Sequence, residues 1–202
     1  SHAFSRLMAA AIYKQGLKAV PLDLGRENAI RLGKRYVHND ICFPAQIVIG
    51  EVLDALMSGR YDLDRTAVMM AKYVGDCRLT HYSALLRKAL DDAGFAQVPI
   101  ITNDMVDDHD LHPGFKMSLA SALRIAYGLP MIDALEELLR KTRPYEIEPG
   151  ASDRAFEIAL DHVIEGIKTR GVRGGVAGFR RAVQVMADVE VDRSCSSSAS
   201  TC

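Results

Sequence analysis

Apolar positions recur at helical spacing in some stretches of the chain and run continuously in others. Phe4, Leu7, Met8, Ala11 and Ile12 share one helical face and Gly16 follows, which predicts an opening amphipathic helix with a glycine C-cap. Lys18 to Leu24 reads as a short strand, residues 26 to 35 as a weak helix, and Tyr36 to Phe43 as a short strand or extended loop. Pro44 suits the first turn of a helix running to about Ser58, with Gly59 just past its end. Thr66 to Ala71 is continuously apolar, as expected of a parallel strand covered on both faces. A loop with Gly75, Asp76, Cys77 and Arg78 follows, then a helix from about Thr80 to Ala93 before Gly94, and a further apolar strand over Gln97 to Thr102. Strand, helix and strand at this spacing form a βαβ unit with a right-handed crossover. Beyond Asn103 the period is helical, over 115 to 127, 131 to 141, 151 to 170 and 175 to 188.

These elements predict an α/β fold: a doubly wound, mainly parallel sheet of Rossmann or flavodoxin-like type, with a C-terminal helical layer. Residues 1–110 form the expected α/β domain, 111–192 a helical segment, and 193–202 a Ser-rich tail with nothing to anchor it. The chain has 202 residues and is 49% hydrophobic, enough to bury a sizeable core. Lys and Arg number 25 against 26 Asp and Glu, so no strong field attracts a phosphate backbone or an anionic membrane surface. The longest apolar runs fall far short of the roughly 18 residues that span a bilayer. Nor does the start read as a signal peptide, so a cytoplasmic location is expected.

Four cysteines here do not make a disulfide framework. Cys195 and Cys202 lie in the tail. Cys42 sits two residues before Pro44, at the mouth of a predicted helix, and Cys77 sits between a strand and the next helix. Loops at the carboxyl ends of neighbouring strands converge on one crevice, so the two sulfurs are expected to meet there. Helix N-termini carry partial positive charge and free N–H groups, which stabilise a thiolate and an anionic cluster bound to it. That placement suits iron-sulfur ligation, with Gly75 allowing close backbone approach and Arg78 offsetting charge. A packing role stands beside it, because free cysteine often acts as a buried small hydrophobe. Zinc fits less well, since there is no Cys-x-x-Cys pair.

The stretch Gly33-Lys34-Arg35-Tyr36-Val37-His38-Asn39-Asp40-Ile41-Cys42-Phe43-Pro44-Ala45 resembles the signature of the large CoA-substrate-specific enzyme activases, in the region similar to the iron-sulfur subunit of 2-hydroxyglutaryl-CoA dehydratase and benzoyl-CoA reductase. Ser58 to Val68, Gly75-Asp76-Cys77-Arg78, Leu86 to Leu90, Ala93-Gly94-Phe95, Val98 to Ile101, Pro113 to Lys116 and Thr142 to Glu146 follow in the family's order, so the likeness spans about residues 1 to 192. Ala71 to Val74 and His81-Tyr82 differ from the family's usual Ser-Gln-Thr-Gly and Asn-Tyr. The resemblance implies ATP-driven, low-potential electron transfer to an iron-sulfur protein acting on CoA thioesters, in anaerobic metabolism. It assigns Cys42 and Cys77 as cluster ligands, with Asn39, Pro44, Gly75 and Arg78 as their surroundings. The cluster would be a 4Fe-4S cubane or a double cubane, with further ligands outside this chain. The implied partners are an ATPase activase domain or subunit and a CoA-thioester substrate, and a dimer is compatible with this reading.

Other readings remain open. A metal-free α/β module could bind a CoA thioester or dock a partner subunit, and both cysteines could be inert. Arg170 to Gly175 is glycine-rich but lacks the Gly-Lys-Ser/Thr ending of a P-loop, so a turn between helices is expected there and the fragment alone should not hydrolyse ATP. Asp107-Asp108-His109-Asp110 with His112 reads as a solvated loop rather than a metal site. No Ser-His-Asp triad or nucleophile elbow is visible.

Overall fold

The computed structural model describes residues 2–13, 16–22, 27–70, 75, 77–102 and 117–192. The chain divides into two units, one of residues 22–116 and one of residues 1–21 with 117–202.

In the first unit, α2 (Glu27–Tyr36) and α3 (Phe43–Met57) pack against each other. Glycines set how close they come. A Cβ on Gly33 would overlap the Gln46 carbonyl of α3, and one on Gly50 would overlap the Ala29 carbonyl of α2. Pro44 lies in the first turn of α3, where its missing N–H costs nothing, and Gly59 follows the helix at φ 68°. β1 (Val68–Met69) pairs in parallel with β2 (Ile100–Ile101), joined through a 3-10 turn (Arg78–His81) and α4 (Tyr82–Asp92). Leu53, Leu86, Leu90, Val98 and Ile100 form the centre of this unit's core, each fully buried. Burying each large apolar side chain contributes roughly 1.5–3 kcal/mol. Arg87 of α4 donates to the Val98 and Phe95 carbonyls at 2.7 and 3.1 Å, holding the loop before β2 to the helix.

The expected doubly wound sheet is not there. Among the described residues the sheet is two strands of two residues each, in a chain that is otherwise mostly helical. The expected βαβ order survives as that one pair, but β1 is not covered on both faces, because Met69 is 39% exposed. Residues 18–20 are exposed and without regular structure, and Pro21 removes a ladder donor from the predicted strand, whose last two residues lie outside the described set. Residues 37–42 form turns instead of a strand. Their Asn39 and Ile41 carbonyls accept from the Gln46 side chain, so they are not available to a neighbouring strand.

The second unit is helical. α1 (His2–Ile12) packs on α5 (Leu119–Thr142) and α6 (Ala151–Ala187), burying Leu7, Leu135, Leu160, Val163 and Ile167 together. Ser118 caps α5, its hydroxyl accepting from the Ser121 N–H at 3.1 Å, and Ser121 Oγ donates to the Ala11 carbonyl at 2.8 Å. The predicted break between 127 and 131 is absent: α5 runs through Pro130, and the missing side chain of Gly128 makes room for Leu7. α6 is two arms meeting at Gly171, whose φ of 65° and ψ of −147° lie outside the helical region. Only glycine adopts that conformation readily. The arms double back so closely that a Cβ on Gly166 would overlap the Gly174 carbonyl, and one on Gly178 the His162 carbonyl. The run Arg170 to Gly175 is therefore the turn of a helical hairpin.

Glu146 starts α6. Its carboxylate accepts from the Gly150 and Ser152 N–H groups at 2.7 and 2.8 Å, and these contacts, Gly150's first, hold its pKa below the ordinary carboxylate value. A depressed folded-state pKa gives stability that is present above the unfolded value and is lost as pH falls through the folded one. Acid should thus weaken this unit in part through Glu146. Melting curves of Glu146→Gln against pH should show a lower stability near neutrality and a shallower acid decline than the original chain.

Candidate functional site

The site is built where two helices begin. Cys42 is the N-cap of α3, with extended backbone at φ −57° and ψ 135°, and its carbonyl accepts from the Ala45 N–H at 2.9 Å. The thiol makes no full capping hydrogen bond, although the Ala45 N–H faces it closely enough to favour its charged form. The approach to it is fixed from beneath by Gln46, 4% exposed, whose Nε2 donates to the Asn39 and Ile41 carbonyls at 3.2 and 3.3 Å. Asn39 therefore contributes backbone, while its side chain is exposed. Pro44 is exposed in the first turn.

Cys77 is the N-cap of the 3-10 turn Arg78–His81, with φ −87° and ψ 140°. Its carbonyl accepts from the Thr80 N–H at 3.1 Å, and Thr80 Oγ1 donates to the Gly75 carbonyl at 3.2 Å. Gly75, Cys77 and Arg78 are exposed, whereas Cys42 is half-buried. The turn runs directly into α4, whose first residue is Tyr82.

Tyr82 joins the two halves. It is 6% exposed, its ring lies in the core with Leu86 and Ile49, and its hydroxyl hydrogen-bonds Cys42 Sγ. That bond is the main reason the Cys42 pKa is lowered; burial opposes it, and the Ala45 N–H and the Arg78 charge assist. Tyr82 itself is pushed up to about 12, first by burial, then by the bond to Cys42 and by the charges of Cys42 and Cys77, with Arg78 pulling the other way. The phenol consequently keeps its proton when Cys42 ionises, so the O–H donates and the thiolate accepts.

Two cysteines with a hydrogen-bond donor and a guanidinium beside them suit a thiolate-bound metal group. Among the described residues no three His, Cys, Asp or Glu side chains group to hold a metal ion. The pair fits part of a cluster's ligand set and does not complete one. Asp76, the Asp107–His112 run, and Cys195 and Cys202 lie outside the described residues. Gln46 and Tyr82 are the two site residues that sequence reasoning did not assign. Nothing local signals Tyr82, because it stands 40 positions from the sulfur it contacts. Among the described residues no helix is long and apolar enough to cross a membrane. Compared with known proteins, the chain matches no family model, no curated protein and no solved structure.

Proposed function

We propose that this chain carries an iron-sulfur cluster on Cys42 and Cys77 and takes part in low-potential electron transfer in a system that dehydrates or reduces CoA thioesters. An ATPase activase domain or subunit would drive it. One observation carries the reading: two cysteines far apart in sequence both begin helical segments, and Tyr82, which directly follows the turn that Cys77 begins, hydrogen-bonds Cys42 Sγ. The likeness of residues 33–45 and of the later stretches to the large CoA-substrate-specific activases supplies the reaction class. A cytoplasmic setting, where thiols stay reduced, is part of the proposal.

When bound, the cluster supplies storage of a single electron at low potential. The chain's own residues do the rest. Cys42 and Cys77 hold the group as thiolates, Arg78 offsets its negative charge, and Tyr82 donates to the Cys42 sulfur. Gln46 keeps the Asn39–Ile41 backbone in place, which fixes where Cys42 sits. Anaerobic expression and purification of the whole chain, with reconstitution by ferrous iron, sulfide and an excess of a small thiol to fill the ligand positions this chain leaves open, tests this. A brown protein with matching iron and acid-labile sulfide, bleached by dithionite, is the expected result. A colourless chain holding neither would leave a metal-free module, and the proposal would fall.

A further inference from the structure

We infer that the groove along the α6 hairpin is a phosphate-binding site, in which Arg170 and Arg181 hold the doubly charged phosphate group of a small molecule. The site belongs wholly to the second unit and stands without the cysteine reading.

The hairpin makes the groove. Gly166 meets the Gly174 carbonyl and Gly178 meets the His162 carbonyl so closely that the seam between the arms has backbone for a floor. Its walls are His162, Glu165, Thr169 and Arg170 on the first arm and Arg181 on the second. The space between them is about 120 Å³. One water needs roughly 10–15 Å³ and a drug-sized ligand roughly 300–1,000 Å³, so the groove takes one tetrahedral oxyanion and leaves its carrier outside.

Charge decides which ion. The whole chain has a net charge of −1, yet residues 166–187 hold Lys168, Arg170, Arg173, Arg180 and Arg181 and no Asp or Glu. Arg6, Arg87 and Arg154 each have a carboxylate partner, whereas Arg170 and Arg181 make no ion pair among the described residues. Two unpaired guanidiniums lining one groove favour a dianion over a carboxylate, and their planar forks match phosphate oxygens in pairs. The Thr169 hydroxyl is committed to the Glu165 carbonyl at 2.7 Å, so the donors are the two arginines and the His162 ring. The Glu165 carboxylate opposes the anion, with Lys168 at 3.8 Å offsetting part of its charge.

The test is a titration of the full chain with inorganic phosphate and with adenosine monophosphate, followed by phosphorus NMR, with acetate as competitor. Ionic strength is set near 0.1 M, where the screening length is about 10 Å and charges outside the groove contribute little. Saturable binding at one site that acetate does not displace is the expected result. Tighter binding of the monophosphate assigns a phosphate ester and equal binding the free ion, and both support the inference. Arg181→Ala should weaken binding about tenfold and Arg170→Ala with Arg181→Ala should abolish it. Arg173→Ala with Arg180→Ala removes the same charge from the same hairpin outside the groove and should leave affinity nearly unchanged. All four arginines are exposed, so these chains should fold. Glu165→Gln should bind more tightly than the original chain. Absence of saturable binding, displacement by acetate, or equal losses from the two double variants overturns the inference. If the arginine variants fail to fold, Glu165→Gln decides, and an affinity unchanged or weakened there overturns it.

Discussion

Replacing Gly50 with alanine is expected to destabilise residues 22–116 by about 3 kcal/mol or more, although alanine is the better helix former. Two effects of opposite sign compete. Within a helix, glycine to alanine gains roughly 1 kcal/mol in backbone propensity. At Gly50 the added Cβ would overlap the Ala29 carbonyl and crowd the Gly33 N–H, both backbone groups that no rotamer change can move. α2 and α3 would have to separate, loosening Ile49 and Leu53, which are fully buried. Overpacking costs typically run about 1–3 kcal/mol even where side chains can give way, and here the contact is backbone on backbone. The clash wins. A domain's whole stability is about 5–15 kcal/mol, so the midpoint of denaturant unfolding should drop visibly. The loop carrying Cys42 connects these two helices, so the same substitution should also lower the occupancy of the site. A Gly50→Ala chain melting at or above the original would show that the helices are not held by this contact.

Cys42→Ser has the opposite profile: a large functional effect at small structural cost. Serine is close to cysteine in size and its Oγ can still meet the Tyr82 hydroxyl, so the buried phenol keeps a partner. Stability should change by about 1 kcal/mol or less. Iron and sulfide content should nonetheless collapse, because a neutral hydroxyl is a poor substitute for a thiolate ligand. Cys77→Ser should behave alike, with a still smaller effect on melting since Cys77 is exposed. Full iron in the double Ser chain would show that the cluster, if any, is held by other residues.

Much of the helical structure was legible because its punctuation is local. Pro44 and Gly59 bracket α3, Gly94 follows α4, and the glycines after Arg170 mark the hairpin turn. The sheet was misread for a reason that periodicity cannot resolve. A short apolar run such as 66–71 looks the same whether it is a covered central strand or the end of a two-stranded pair. Only tertiary contacts decide, and in the other predicted strand, 36–43, the Asn39 and Ile41 carbonyls accept from Gln46 instead. The allegiance of α1 to residues beyond 117 was equally hidden, since the Ser121 to Ala11 bond joins positions 110 apart. At the site, the helix-start positions of Cys42 and Cys77 could be read from Pro44 and from the strand-to-helix change. The link through Tyr82 could not, because it depends on where α4 lies against α3.

The central claim is that Cys42 and Cys77 together hold one cluster, and the most direct test is to label the thiols residue by residue. The whole chain would be treated with iodoacetamide before and after anaerobic reconstitution with iron and sulfide, and each cysteine's modification read by mass spectrometry. Cys42 and Cys77 should lose reactivity together on reconstitution and regain it when the iron is chelated, while Cys195 and Cys202 stay reactive throughout. Equal labelling of Cys42 and Cys77 with and without iron, or protection confined to the other pair, would contradict the account.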